Sequence, residues 1–99
     1  MYGLQVRFNA KPGRADELVA ILLEAADALR SEADCLLYVV GRLPSDPDAV
    51  LVCEAWTSAA AHGASLDREE TKAAIARGRP LIAALGDRVE FEPAGGKGL

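Results

Sequence analysis

The feature that most constrains this chain is a pair of segments that are apolar on both sides. Cys35 to Val40 reads CLLYVV, a continuous apolar run closed by Gly41, and Ala49 to Thr57 reads AVLVCEAWT. The first is too short for a buried helix and rich in Val, Leu and Tyr, so it reads as a strand. In the second, Val50, Val52, Glu54 and Trp56 share one face, while Leu51, Cys53 and Ala55 share the other. Between them lies LPSDPDA, whose prolines and aspartates suit a hairpin loop. An antiparallel sheet with one wet face alternates apolar and polar residues. These two strands do not, so both of their faces need cover.

The remaining elements follow from periodicity. Leu4, Val6 and Phe8 alternate with Gln5, Arg7 and Asn9, a strand broken by Lys11-Pro12-Gly13. Leu18, Ile21, Leu22, Ala25 and Leu29 then form a helical stripe. Asp16 and Glu17 suit the positive end of that helix. Thr57-Ser58 offers an N-cap for a short helix, Ala59 to about Ala64. Asp67 with Glu70 resembles a capping box opening a further helix. That helix weakens at Gly78, is kinked or restarted by Pro80, continues its apolar face through Leu81, Ile82 and Leu85, and stops at Gly86. Val89 to Glu92 is a last strand. The order β-α-β-β-α-β is the ferredoxin-like α+β plan, a four-stranded antiparallel sheet with helices on one face. Residues 1–93 form one domain, and 94–99, rich in glycine, form a flexible tail. Helices cover only one face, so the other is expected to pair with a second copy in a homodimer.

Charge and composition exclude several classes. With 99 residues, a net charge of −4 and no basic cluster, the chain is not expected to bind nucleic acid or an anionic membrane surface. No apolar run approaches the ~20 residues of a membrane span. The opening Met1-Tyr2-Gly3-Leu4 enters strand-like sequence without a signal-peptide pattern, which reads as cytoplasmic. Cys35 and Cys53 read as reduced, buried hydrophobes, and a disulfide between neighbouring strands is the alternative. One histidine and two distant cysteines fit no metal-ligand spacing, so no metal is expected.

The only tryptophan and the only histidine, Trp56 and His62, stand six residues apart. EAWTSAAAH, AAIARGRPLIA and KPGRADELVAIL together resemble the antibiotic biosynthesis monooxygenase (ABM) family, small proteins of the dimeric α+β-barrel type, over about residues 3 to 92. The resemblance implies a pocket between sheet and helices, lined by the tryptophan that ends the third strand, here Trp56. It also implies oxidation of a small phenolic, quinol or anthrone-type aromatic by O2 without cofactor. The anthrone oxygenases carry asparagine four residues before this tryptophan and tyrosine six after it, where this chain has Val52 and His62. Haem-degrading members carry asparagine within the first strand and a haem-ligating histidine ten residues past the tryptophan, where this chain has Val6 and Leu66. Many members carry histidine nine residues on, where Ser65 stands.

Trp56 and His62 are therefore the expected catalytic residues, with Tyr38, Val52, Glu54 and Leu66 as substrate-binding residues. An imidazole with an unperturbed pKa of ~6.5 suits proton transfer at neutral pH. Each has a plainer reading: Trp56 a core anchor, His62 a solvated helix residue, Tyr38 a core aromatic. Glu54, polar in an apolar strand, is expected to pair with Arg7 across neighbouring strands; a carboxyl with raised pKa in the pocket is the alternative. Arg77 and Arg79, flanking Gly78, read either as anion-binding or as solvated residues at a helix end. A non-catalytic binder of small hydrophobic metabolites and a cyclase- or isomerase-like enzyme are the alternative functions on the same fold.

Overall fold

A computed structural model describes all residues, Met1 to Leu99. Strand β1 spans Tyr2–Ala10, helix α1 Ala15–Ala28, β2 Cys35–Leu43, β3 Asp46–Trp56, α2 Ala59–Ser65, α3 Glu69–Gly78 and β4 Ile82–Phe91. Short 3-10 turns follow α1 (Leu29–Ser31) and α3 (Arg79–Leu81). The four strands form one antiparallel sheet in the order β2-β3-β1-β4. This is the expected ferredoxin-like plan.

Register sorts the side chains. Across β1 and β3, Tyr2 opposes Trp56, Leu4 opposes Glu54, Val6 opposes Val52 and Phe8 opposes Val50. Tyr38 and Val40 of β2 join that face opposite Glu54 and Val52. All helices lie on it. Leu18 and Ile21 of α1 pack with Val50, Ala10 and Leu81 in the core. Burying Leu18 and Ile21 contributes roughly 1.5–3 kcal/mol each. Gly78 packs closely over α1, where a Cβ would sit at ordinary contact distance, 3.4 Å, from Leu18 Cδ1.

The other face carries Leu37, Val39, Leu51, Cys53, Val89 and Phe91, and no helix covers it. Val39 is 49% exposed, Val89 51% and Phe91 43%. The Phe91 ring lies over Gly3, where any Cβ would meet it at 2.5 Å. Apolar residues on both sides of β2 and β3 are thus observed, with cover on one side only.

Three local expectations change. The loop expected at Leu43 to Ala49 shrinks to the turn Pro44-Ser45, because β2 runs on to Leu43 and β3 begins at Asp46. Pro47 falls where the register slips between Arg42–Val50 and Leu43–Asp46, so its missing N–H leaves no ladder bond unmade. The last helix ends at Gly78 rather than near Gly86, and residues 82–86 belong to β4, paired with β1 across an irregularity between Val6 and Phe8. The N-cap of α3 is Arg68, not Asp67, and no side chain caps it. Ser58, as expected, caps α2 by accepting from the Ala61 N–H at 3.1 Å. Both cysteines are free and half-buried. Residues 92–98 form no helix or strand. No helix is long and apolar enough to cross a membrane.

Candidate functional site

The helix-facing side of the sheet has two parts. One is a packed polar cluster at the Trp56 end. Trp56 is 1% exposed, and its indole N–H donates to Glu54 Oε1 at 3.0 Å. The two residues are i and i+2 on β3, so they stand side by side on one face. His62 comes from α2. Its ring meets Trp56 edge-on, with centroids 5.7 Å apart, and lies 5.1 Å from the Tyr2 ring. His62 Nε2 is 3.8 Å from Glu54 Oε1, and both side chains are nearly buried. The Tyr2 hydroxyl donates to Glu90 Oε1 at 2.7 Å, and Arg88 donates to the same oxygen at 3.0 Å.

Electrostatics follow from this packing. Burial raises the Glu54 carboxyl above its ordinary value of 4.5; the Trp56 hydrogen bond and the charges of His62 and Arg88 oppose the rise without cancelling it. Tyr38 stands opposite Glu54 on β2. Burial first, and then the negative charge of Glu54, holds its phenol far above its ordinary value of 10.0. Tyr38 is therefore a neutral donor at physiological pH.

The expected Glu54–Arg7 pair does not form. β1 and β3 are neighbours, but Arg7 opposes Leu51 while Glu54 opposes Leu4, so the two side chains leave opposite faces of the sheet. Arg7 instead pairs with Asp46 at 2.7 Å and donates to Asn9 Oδ1 at 3.0 Å.

The second part is a cavity of about 470 Å³ between α1, α3 and the sheet. It exists because small residues face one another there, Ala25 on α1 and Ala74 and Gly78 on α3, over the Ile82–Leu85 stretch of β4. Phe8, Leu18 and Leu85 supply larger apolar walls. Its polar lining comes from Tyr38, Thr71 and Arg79, and no lining residue is acidic. Its volume falls within the ~300–1,000 Å³ of small-molecule pockets.

Of the six residues expected to be catalytic or substrate-binding, only Tyr38 lines this cavity; of the two arginines read as anion-binding or solvated, Arg79 lines it and Arg77 does not. Glu54, Trp56 and His62 gather in the adjoining cluster and do not line it. Val52 is 2% exposed, a buried core residue two positions before Glu54 on the same face of β3. Leu66 follows α2 and is 45% exposed, lining neither part. Tyr2 was not singled out, although its place opposite Trp56 on β1 brings it to His62. Ala25, Ala74 and Gly78 were not singled out as lining residues either; their signal was small size within helical apolar stripes. No group of three or more His, Cys, Asp or Glu side chains gathers to hold a metal ion.

The family model for antibiotic biosynthesis monooxygenase matches residues 1–77. A candidate antibiotic biosynthesis monooxygenase from Chloroflexus aurantiacus J-10-fl is 48% identical, with a TM-score of 0.89 over 96% of this chain and 94% of its own. A second, from Deinococcus radiodurans, is 27% identical, with a TM-score of 0.83 over 97% and 95%. A protein from Nitrosomonas europaea, at 13% identity and a TM-score of 0.88 over 96% and 100%, shares the fold. Comparison with functionally curated proteins returns no match.

Proposed function

The chain belongs to the antibiotic biosynthesis monooxygenase family, and from that premise we propose that it oxidises a small phenolic, quinol or anthrone-type aromatic with O2, without metal or flavin. The observation that carries this reading is the position of Tyr38. It lines the cavity and, across the β2–β3 ladder, faces Glu54 of the polar cluster. The guest occupies the apolar cavity with its reacting end at Tyr38, a phenol or quinol hydroxyl or the CH2 carbon of an anthrone. The neutral Tyr38 hydroxyl hydrogen-bonds the oxyanion that forms there. Glu54 and His62 do not line the cavity, so the substrate proton reaches that pair, a carboxyl raised by burial beside an imidazole, by way of Tyr38. Trp56 fixes Glu54 through its indole N–H.

The chemistry balances without a further reactant. For an anthrone, the base removes a proton from the CH2 group, and the carbanion gives one electron to O2. Recombination of the radical pair forms a carbon–oxygen bond. The resulting hydroperoxide, taking a proton back, loses water to leave the quinone carbonyl. The apolar walls keep bulk water from the anion.

Oxygen uptake with anthrone and hydroquinone substrates tests the reading. Glu54→Gln and Tyr38→Phe are expected to lower kcat about 10²–10⁴-fold. Equal uptake by the unsubstituted protein, Trp56→Phe and His62→Ala removes both of those residues from the mechanism.

The active form is proposed to be a homodimer joined through the bare sheet face. Exposed Leu37 and Val39 on β2 and Val89 and Phe91 on β4, joined across the uncovered face by Ala55, Cys53 and Gly3, support this, since soluble monomers seldom leave such a face open. Val39→Lys is expected to yield monomers by light scattering; a protein already monomeric at micromolar concentration contradicts the assembly. A second reading is a binding module without turnover. It is favoured by one observation: Trp56 and His62 do not line the cavity. Tight binding of an aromatic guest with no oxygen uptake identifies it.

A further inference from the structure

The chain has eight arginines. Arg7, Arg14, Arg30, Arg42, Arg68, Arg77 and Arg88 are each ion-paired with an aspartate or glutamate. Arg79 alone has no ion pair, and no side-chain hydrogen bond involves it. It is also the only charged residue lining the 470 Å³ cavity. In a protein with net charge −4, an arginine without a carboxylate stands out, the more so because Arg77, two residues earlier, is held by Glu24.

Local structure puts Arg79 there. Gly78 ends α3 against Leu18, and Pro80 at the start of the 3-10 turn forbids the helix to continue. The turn Arg79–Leu81 then delivers the chain into β4, whose Ile82 to Leu85 form one cavity wall. Arg79 remains exposed, which places it on the open side of the cavity. A guanidinium there keeps its hydration until a ligand arrives and presents a planar fork of donors.

We propose that the cavity selects a flat apolar molecule carrying a carboxylate, its hydrocarbon body against the alanine-lined walls and its carboxylate on Arg79. The proposal rests on the reading of the cavity as the guest site and names the class of guest. Charge complementarity sets the orientation. The cationic group lies at the open side, Tyr38 is the neutral donor on the sheet, and no acidic lining residue repels an anion. The carboxylate then stays near solvent while the opposite end of the molecule lies under the helices.

Titration calorimetry at pH 7 with 2-naphthoate and its neutral isostere 2-naphthamide tests the assignment on the whole chain. The unsubstituted protein is expected to bind naphthoate about tenfold or more tightly than naphthamide, the effect of one charged hydrogen-bonded contact. Arg79→Gln is expected to reduce naphthoate binding to the naphthamide level and leave naphthamide unchanged. Arg79→Lys is expected to keep part of the preference, and Arg77→Gln all of it. Equal affinity for the two probes, no binding of either, or a preference that survives Arg79→Gln overturns the assignment. So does a loss of thermal stability in Arg79→Gln with the preference intact, because Arg79 would then serve only the C-terminal end of α3. The assay needs neither oxygen nor turnover. A naphthoate preference without oxygen uptake removes the monooxygenase reading alone; uptake with a neutral naphthol and no carboxylate preference removes the Arg79 assignment alone.

Discussion

The two halves of the helix-facing surface are built from opposite materials. At the α2 end, side chains fill the space: Trp56, Glu54, His62 and Tyr2 touch one another, and Trp56 is almost wholly hidden. At the α3 end the space stays open because alanines and a glycine face one another. The full half is polar and titratable; the open half is apolar and holds one cation at its edge. Here Tyr38 is the side chain on the boundary.

Substitutions can test that division. Trp56→Ala empties the filled half, and it is expected to destabilise the fold by roughly 3–5 kcal/mol in urea unfolding. A loss below about 1 kcal/mol would mean that the cluster is not packed in solution. Ala25→Leu fills the open half. It is expected to weaken 2-naphthol binding about tenfold while shifting stability by less than about 1 kcal/mol. A large stability loss with unchanged binding would show that the space does not receive the guest.

Glu54→Gln gives a smaller, pH-dependent effect. The folded Glu54 carboxyl titrates above its ordinary 4.5, so between these values the native state holds a proton that the unfolded chain has lost. Its stabilising share is complete below 4.5 and fades as pH rises through the folded value. Glu54→Gln should flatten that part of the stability curve, measured by thermal unfolding from pH 4 upward. An unchanged slope would assign the decline to other groups.

Much of this was readable in the chain, and the misreadings have physical causes. Alternation and helical stripes fixed the order of elements, and the doubly apolar strands announced an uncovered face. Trp56 and His62 were paired only by the family resemblance, with His62 equally readable as a solvated residue; the turn from β3 into the Ser58-capped α2 is what brings their rings together. The Arg7–Glu54 pairing failed because adjacency of strands does not settle which faces align; one residue of register separates contact from opposite sides of the sheet. Leu81, Ile82 and Leu85 looked helical because a short apolar run carries both periods, and pairing with β1 decided for strand. The cavity was hidden because it is made of what is missing: small residues on two helices that meet only after folding.

Strand β4 serves both sides of the sheet. Its first half, Ile82 to Leu85, walls the cavity, and its second half sends Val89 and Phe91 outward over the uncovered surface. The slip in its pairing near Arg7 is the pivot between them. A guest within and a partner without would grip one ribbon from opposite faces. If either grip shifts that ribbon to the other's advantage, the help is mutual and equal in binding strength: the protein would hold its guest more firmly in company than alone.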